Sequence, residues 1–145
     1  MKKKCLLVWK WPIYAQIFLV NKFSKFYDVE QVFISDFKNK VFSEIIDDIN
    51  LLIEEKNIEI VFFDVDFNKL INFFFIKKIQ NVKKILMTFD DFALHEMNAI
   101  TANACDLVVT HCPLSVQKYK EKGYKVFFMP GEGDTDILKN YNLKK

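Results

Sequence analysis

The stretch "IEIVFFDV", residues 58–65, holds four consecutive apolar residues between two acidic ones. β-Branched and aromatic side chains of this kind favour strands. The run is continuous rather than alternating, which is typical of a strand covered on both faces, as in a parallel sheet. Because parallel neighbours are joined by crossovers that are usually helical, this stretch predicts an α/β fold.

The same kind of run recurs along the chain, separated by longer amphipathic segments. The further strand candidates are residues 5–9, 29–35, 82–89, 106–111 and 125–130. The helix candidates are residues 12–27, 38–56, 68–80, 93–104 and 113–122. Pro12 suits a first helical position. The last helix candidate starts at Pro113, and Gly123 suits the residue just after its end.

Six strands alternating with helices, without a linker between them, predict one doubly wound, Rossmann-like domain. We expect a six-stranded, mostly parallel sheet with helices on both faces and the strand order 3-2-1-4-5-6. In such sheets ligands bind beyond the carboxyl ends of the strands, near the switch point between the first and fourth strands. The residues that follow each strand are therefore the candidates for a site.

Composition argues against a nucleic-acid reader. The 145 residues carry a net charge of +2, and all 21 cationic side chains are lysines. Surfaces that bind nucleic acids concentrate cations on one face and favour the bidentate fork of arginine. We therefore expect no nucleic-acid partner.

The cysteines and the apolar runs indicate a cytoplasmic protein. The three cysteines are odd in number and lack CxxC spacing, which fits reduced thiols. The first apolar run, about five residues long, is too short for a signal peptide. No window approaches the ~18 apolar residues of a membrane span, so no transmembrane segment is expected.

Phosphate-binding loops are not recognisable. The turn after the first strand, "KWPIYAQ" (10–16), lacks glycine, and the whole chain has three glycines. A loop that cradles phosphates needs such residues, so NAD, FAD and Walker-type nucleotide binding are not expected, and no cofactor is predicted. A receiver-type phosphoacceptor is also disfavoured, because the acids after the first strand and the lysine after the fifth are missing.

The stretch "FDDFALHE" (89–96), at the end of the fourth strand, contains several side chains that can bind a metal ion or act as a base. Asp90, Asp91, His95 and Glu96 could together hold a metal ion. The chain has one other histidine, His111, and no HExxH or paired-histidine motif, so a closed metal site is not expected. The competing interpretation is that Asp90 or Asp91 caps the following helix.

In that interpretation His95 and Glu96 are solvated, because other residues form the buried stripe of the helix. These are Leu94, Met97, Ile100 or Thr101, and Ala104.

A second unusual stretch is "NFFFIKK" (72–78), with three successive aromatic rings. A helix cannot bury all three against one sheet face. One ring either meets a partner or is covered by a neighbouring helix.

Residues 85–134 carry an ordered set of features. "FDD" ends the fourth strand, "ANACDLVVTHC" (102–112) forms the fifth strand and its approach, and "YKEKGYKVFFMPGEGD" (119–134) follows. This order resembles the N-terminal Rossmann-like domain of two-domain GT-B glycosyltransferases, and is most similar to the bacterial group that includes spore-maturation proteins. Pro130 and Asp134 match the wider pattern, whereas "PGEGD" departs from its commoner "PNGxD".

The resemblance implies that the acidic pair faces a cleft where a sugar acceptor lies. Asp91 is then the candidate base or acceptor-hydroxyl ligand, since the start of a helix stabilises an anion. The candidate substrate contacts are Asp90, His95, His111, Trp11, Glu132 and Gly133.

The resemblance also implies two domains, one that binds the acceptor and one that binds the donor. Residues 1–134 would be the acceptor-side domain, and residues 135–145 a linker toward a C-terminal domain that binds the nucleotide-sugar. The acceptor would be a glycan or another hydroxyl compound, the chemistry would need no metal, and the fragment alone would be inactive. The alternatives are a stand-alone module that binds a small molecule or protein without catalysis, and a metal hydrolase resting on the acidic cluster alone.

Overall fold

A computed structural model describes residues 2–10, 14–65, 70–89 and 91–129. In these ranges strands and helices alternate along the chain. They are β1 (Lys3–Trp9), α1 (Tyr14–Phe23), β2 (Tyr27–Phe33), α2 (Phe42–Lys56), β3 (Ile60–Asp64), α3 (Phe73–Lys78), β4 (Lys83–Thr88), α4 (Asp91–Ala102), β5 (Leu107–Thr110), α5 (Pro113–Glu121) and β6 (Val126–Phe128). A short 3-10 turn, Ile34–Asp36, follows β2.

The strands form one six-stranded sheet in which every pair is parallel. The predicted α/β, Rossmann-like class is therefore confirmed. The strand order is β2-β1-β3-β4-β5-β6, so the predicted order 3-2-1-4-5-6 is wrong. The observed order is the other common arrangement of doubly wound sheets, extended by one strand.

The composition of two strands explains this order. Ile60 to Phe63 of β3 are all buried, as a strand in the middle of a sheet requires. By contrast, β2 carries Asp28 and Glu30 and has no fully buried residue, and charges are a common protection of edge strands. With β3 beside β1, the switch point lies between β1 and β3.

The helices divide unequally between the faces. Buried residues of α2, α3, α4 and α5 join one apolar cluster with Leu6, Val61 and Leu86. The cluster on the opposite face, around Leu7 and Phe62, takes helix residues from α1 within the described ranges. Right-handed crossovers produce this division, since the chain moves in one direction to β2 and in the other from β2 to β6. No described helix is long and apolar enough to cross a membrane.

Local signals set the ends of α2. Its buried stripe consists of Ile45, Ile46, Ile49 and Ile53, as the helical period predicts. At its start the Glu44 carboxylate accepts the free backbone N–H of Val41 at 2.8 Å.

Helix α3 is shorter than predicted, and a cap explains its start. Asn72 Oδ1 accepts the backbone N–H groups of Phe74 and Phe75 at 3.0 and 3.2 Å, which fixes the first turn there. Phe75 is fully buried, whereas Phe74 is 71% exposed. The expectation that the three rings cannot all be buried is confirmed.

Helix α5 has the predicted ends. It begins at Pro113, and Gly123 follows its last turn with a φ of +84°, a left-handed conformation that suits glycine. The backbone N–H of Tyr124 then donates to Tyr119 O at 3.0 Å and closes the turn.

Candidate functional site

The structure describes three of the seven residues predicted for the site, namely Asp91, His95 and His111. All three lie near the carboxyl ends of β4 and β5. The other four lie outside the described residues: Trp11, Asp90, Glu132 and Gly133.

Asp91 is the first residue of α4, and its side chain is completely buried. Its Oδ1 accepts hydrogen bonds from Asn98 Nδ2 at 3.1 Å and from the Tyr119 hydroxyl at 2.9 Å. Its Oδ2 accepts one from Thr110 Oγ1 at 2.9 Å. A buried carboxylate is costly unless hydrogen bonds replace its water, and these three donors do so.

These bonds tie three elements together. Asn98 belongs to the same helix as Asp91, Thr110 ends β5, and Tyr119 comes from α5. Thr110 Oγ1 also accepts the backbone N–H of Cys112 at 3.1 Å, just before α5. The Asp91 carboxylate therefore holds the turn between β5 and α5 in place.

His95 lies one helical turn after Asp91 and is 4% exposed. Its Nδ1 is 3.8 Å from Asp91 Oδ1, beyond hydrogen-bonding distance. The ring packs on Tyr119 with a centroid separation of 4.6 Å. Neither ring nitrogen has a hydrogen-bond partner among the described residues.

The expectation of a solvated His95 is wrong. The predicted buried stripe of α4 is correct at Thr101, which is buried, and at Ala104, which packs against the core, but wrong at Met97. Met97 and Ile100 are 59% and 63% exposed, while the small residues Ala99 and Ala102 pack against the sheet. The polar face of α4 turns inward because donors from β5 and α5 satisfy its carboxylate. Glu96 is exposed, as predicted. A hydrogen bond and the charge of Lys122, 2.9 Å away, hold its pKa below the usual value.

His111 follows β5 at the carboxyl edge of the sheet. Its backbone N–H donates to Thr88 O at 3.1 Å, and its ring packs on Phe89 at a centroid distance of 4.6 Å. Burial lowers the pKa of His111, which favours the neutral form of the imidazole. Its Nε2 is buried and has no hydrogen-bond partner in the described part of the chain.

Cys112 is the next residue and precedes α5. A hydrogen bond from the Ser115 side chain, and further bonds from the N–H groups of Ser115 and Leu114, lower the pKa of its thiol. Burial has the opposite effect on the other two cysteines. It raises the pKa of Cys5 to about 11 and that of Cys105 to about 12. We therefore expect Cys112 to be the most reactive thiol of the three.

The switch point between β1 and β3 is described in part. Trp9, the last residue of β1, is 1% exposed, and its Nε1 has no hydrogen-bond partner among the described residues. Asp64 ends β3 and is partly buried. The segments that follow these strands, 11–13 and 66–69, lie outside the described residues.

The described residues contain no group of three or more histidine, cysteine or acidic side chains that could hold a metal ion. Asp91 and His95 form a pair of potential ligands, but hydrogen bonds already occupy both Asp91 oxygens. The metal-hydrolase alternative gains no support from this part of the molecule.

Sequence reasoning located Asp91 at the strand end but missed the partners that bury it. Asn98 could have been found, because it lies seven residues after Asp91 and hence on the same helix face. Tyr119 lies 28 residues away on another helix, and Thr110 lies on another strand. No local spacing predicts those two contacts.

No family model, curated protein or solved structure matches this chain. The fold therefore rests on the structure itself. The resemblance of residues 85–134 to glycosyltransferases stays a prediction, and the function built on it is a proposal.

Proposed function

We propose that this chain is the acceptor-binding, N-terminal half of a glycosyltransferase that takes a sugar from a nucleotide-sugar donor. The support is the order of sequence features in residues 85–134, together with a parallel Rossmann-like sheet that presents several of them at one edge. The donor would bind to a C-terminal domain of the same protein, and the half described here would be inactive alone.

The observation that carries this proposal is the pairing of His111 with Phe89. Aromatic faces suit the apolar face of a sugar ring, and a neutral imidazole can exchange a hydrogen bond with a hydroxyl. Because Nε2 of His111 is buried, that hydrogen bond would use the other ring nitrogen, Nδ1. Phe89 and His111 place both kinds of group side by side where parallel sheets bind ligands. In this proposal they form one wall of the acceptor site.

Asp91 has a supporting role in this proposal. A general base must come within hydrogen-bonding reach of the proton that it removes. The Asp91 carboxylate has no exposed surface and already accepts three hydrogen bonds. To act as the predicted base, the carboxylate would have to exchange one of these donors for the acceptor hydroxyl. The geometry favours Asp91 as the group that positions the turn bearing His111.

Sugar transfer by the complete natural protein tests the proposal, with UDP- and GDP-sugars as donors and simple polyols as acceptors. For His111→Ala we expect the KM for the acceptor to rise about tenfold, the loss of roughly one hydrogen bond. The KM for the donor should stay unchanged. Leu114→Ala is the matched control, because Leu114 lies on the same turn but is 66% exposed. Equal acceptor KM values in wild type and His111→Ala would contradict the site, and no transfer from any donor would contradict the function.

Asp91→Asn in the same assay separates the two roles of Asp91. An asparagine can keep the acceptor for Asn98 and Tyr119 and donate to Thr110, so the fold should survive. If Asp91 only positions the turn that bears His111, the turnover of Asp91→Asn should stay within tenfold of wild type. A decrease in turnover of roughly 10²–10⁴-fold, with a melting temperature within a few degrees of wild type, would show that Asp91 acts as the base.

The second candidate is a binding module without catalysis, and Phe74 favours it. Phe74 and Leu70 are 71% and 46% exposed and lie close together in the chain, where a partner could cover them. Transfer by the complete protein would exclude this candidate. A partner whose binding is lost in Phe74→Ser, with no transfer activity in the same protein, would favour it.

A further inference from the structure

Four helices lie side by side over one face of the sheet, and the contacts between them give their order. Asn50 Nδ2 of α2 donates to the backbone oxygen of Lys78 in α3 at 3.2 Å, and α3 packs beside α4. Lys122, just after α5, contacts Glu96 of α4 at 2.9 Å. The order is therefore α2, α3, α4, α5. We call the outward side of these four helices the outer helix face.

The middle of the outer helix face is apolar. Phe74 of α3 is 71% exposed, and Met97 and Ile100 of α4 are 59% and 63% exposed. Met97 and Ile100 are three residues apart and hence share one side of α4. Large apolar side chains that are exposed on two neighbouring helices mark a surface that another protein can cover.

The α2 end of the outer helix face is acidic. Helix α2 contains five acidic residues and one lysine. Glu44, Glu54 and Glu55 are exposed and lie on the side of α2 opposite its buried isoleucines. Glu54 and Glu55 form no ion pair with another described residue. Their charges are therefore available to the cations of a partner.

The α5 end of the outer helix face is basic. Residues 113–125 contain four lysines and one glutamate. Lys118, Lys120 and Lys122 are exposed, and Lys122 pairs with Glu96 on α4. The outer helix face thus carries opposite charges at its two ends, with apolar side chains between them.

We propose that the outer helix face is the interface of a homodimer, in which α2 of each copy lies opposite α5 of the other. Two-fold symmetry allows two copies to meet through this face in two ways. An axis along the helices sets α2 against the partner's α5, so that carboxylates meet lysines. An axis across the helices sets α2 against the partner's α2, where like charges repel. The charges therefore favour the axis along the helices.

The same axis pairs the apolar residues and offers enough area. It sets α3 against the partner's α4, so Phe74 of one copy meets Met97 and Ile100 of the other. Helix α2, with 15 residues, is about 22 Å long, and four helices at ~10 Å spacing span about 40 Å. A surface of these dimensions can supply the ~800 Å² per partner of a stable interface. The inference does not depend on the proposed function.

Analytical ultracentrifugation of the chain of residues 1–145 tests the dimer. We expect a dimer with a Kd of about 10 μM or tighter. Phe74→Asp should make the chain monomeric, because it places a charge in the apolar middle of the interface. Phe26→Asp is the matched control, since Phe26 is 73% exposed but lies between α1 and β2. A wild-type monomer at about 100 μM, or a dimer that Phe74→Asp and Phe26→Asp affect equally, would overturn the proposal.

Charge reversal tests the pairing of α2 with α5. Glu54→Lys combined with Glu55→Lys should raise the Kd about tenfold or more, and so should Lys118→Glu combined with Lys120→Glu. All four changes in one chain should return the Kd close to the wild-type value, because opposite charges face each other again. All four side chains are exposed, so the melting temperature should stay within a few degrees in each variant. A dimer that the four changes together weaken as much as either pair does would contradict this arrangement.

Discussion

At the scale of single residues, the turn after β5 shows how neighbours decide reactivity. Cys112 has a thiol pKa lowered by the Ser115 hydroxyl, whereas burial raises the pKa of Cys5 to about 11 and that of Cys105 to about 12. The thiolate is the nucleophile in alkylation. A lowered pKa gives more thiolate at a given pH, and a raised pKa gives less.

We therefore expect iodoacetamide to modify Cys112 first at pH 7–8, with Cys5 and Cys105 following after unfolding or above pH 10. Peptide mass spectrometry after short pulses measures the three rates separately. Ser115→Ala should slow the reaction of Cys112, because it removes the hydrogen bond that most lowers the pKa. Ser43→Ala, on the exposed first turn of α2, is the control. Faster labelling of Cys5, or an unchanged rate in Ser115→Ala, would contradict this reading of the turn.

The sequence located Asp91 and His111 at strand ends, because each follows an apolar run. It could not predict that Asp91 and His95 would be buried. Burial depends on Thr110 and Tyr119, which chain folding brings to Asp91 from two other elements. On hydrophobicity alone Met97 and Ile100 were better candidates for the inner face of α4.

At the scale of elements, local sequence predicted the strands and the class of fold. The predicted order of the strands and the predicted start of α3 were wrong. Charged Asp28 and Glu30 mark β2 as an edge strand, and the uninterrupted apolar run of β3 marks a central one. These signals were present in the sequence and favour β3 beside β1. The start of α3 was predicted at residue 68, because the prediction placed Asn72 inside the helix. In the structure Asn72 is the cap residue, and the helix begins at Phe73.

Asn72→Ala tests the importance of that cap. The substitution leaves the N–H groups of Phe74 and Phe75 without their side-chain acceptor. We expect the free energy of unfolding to fall by about 1 kcal/mol. Asn72→Asp, which keeps an acceptor oxygen, should stay close to wild type. Urea denaturation measures both, and equal losses in the two variants would show that the cap is not what fixes this helix.

At the scale of the whole molecule, the sheet is one parallel layer, and buried hydrogen bonds stabilise the edge at which its strands have their carboxyl ends. Asp91 joins α4 to β5 and α5, and through Thr110 it fixes the turn that carries His111. A carboxylate kept for a substrate commonly costs stability, so that its removal is neutral or stabilising. A carboxylate that holds three elements together has the opposite effect.

The free energy of unfolding of Asp91→Ala distinguishes these roles most directly and needs no substrate. The substitution leaves the buried donors of Asn98, Thr110 and Tyr119 without their acceptor. An unsatisfied buried donor costs about 1–3 kcal/mol, so we expect a total loss of about 3 kcal/mol or more by urea denaturation. Asp47→Ala, on an exposed carboxylate of α2, is the control and should cost about 1 kcal/mol or less. An Asp91→Ala variant as stable as the wild type, or more stable, would contradict the supporting role of Asp91.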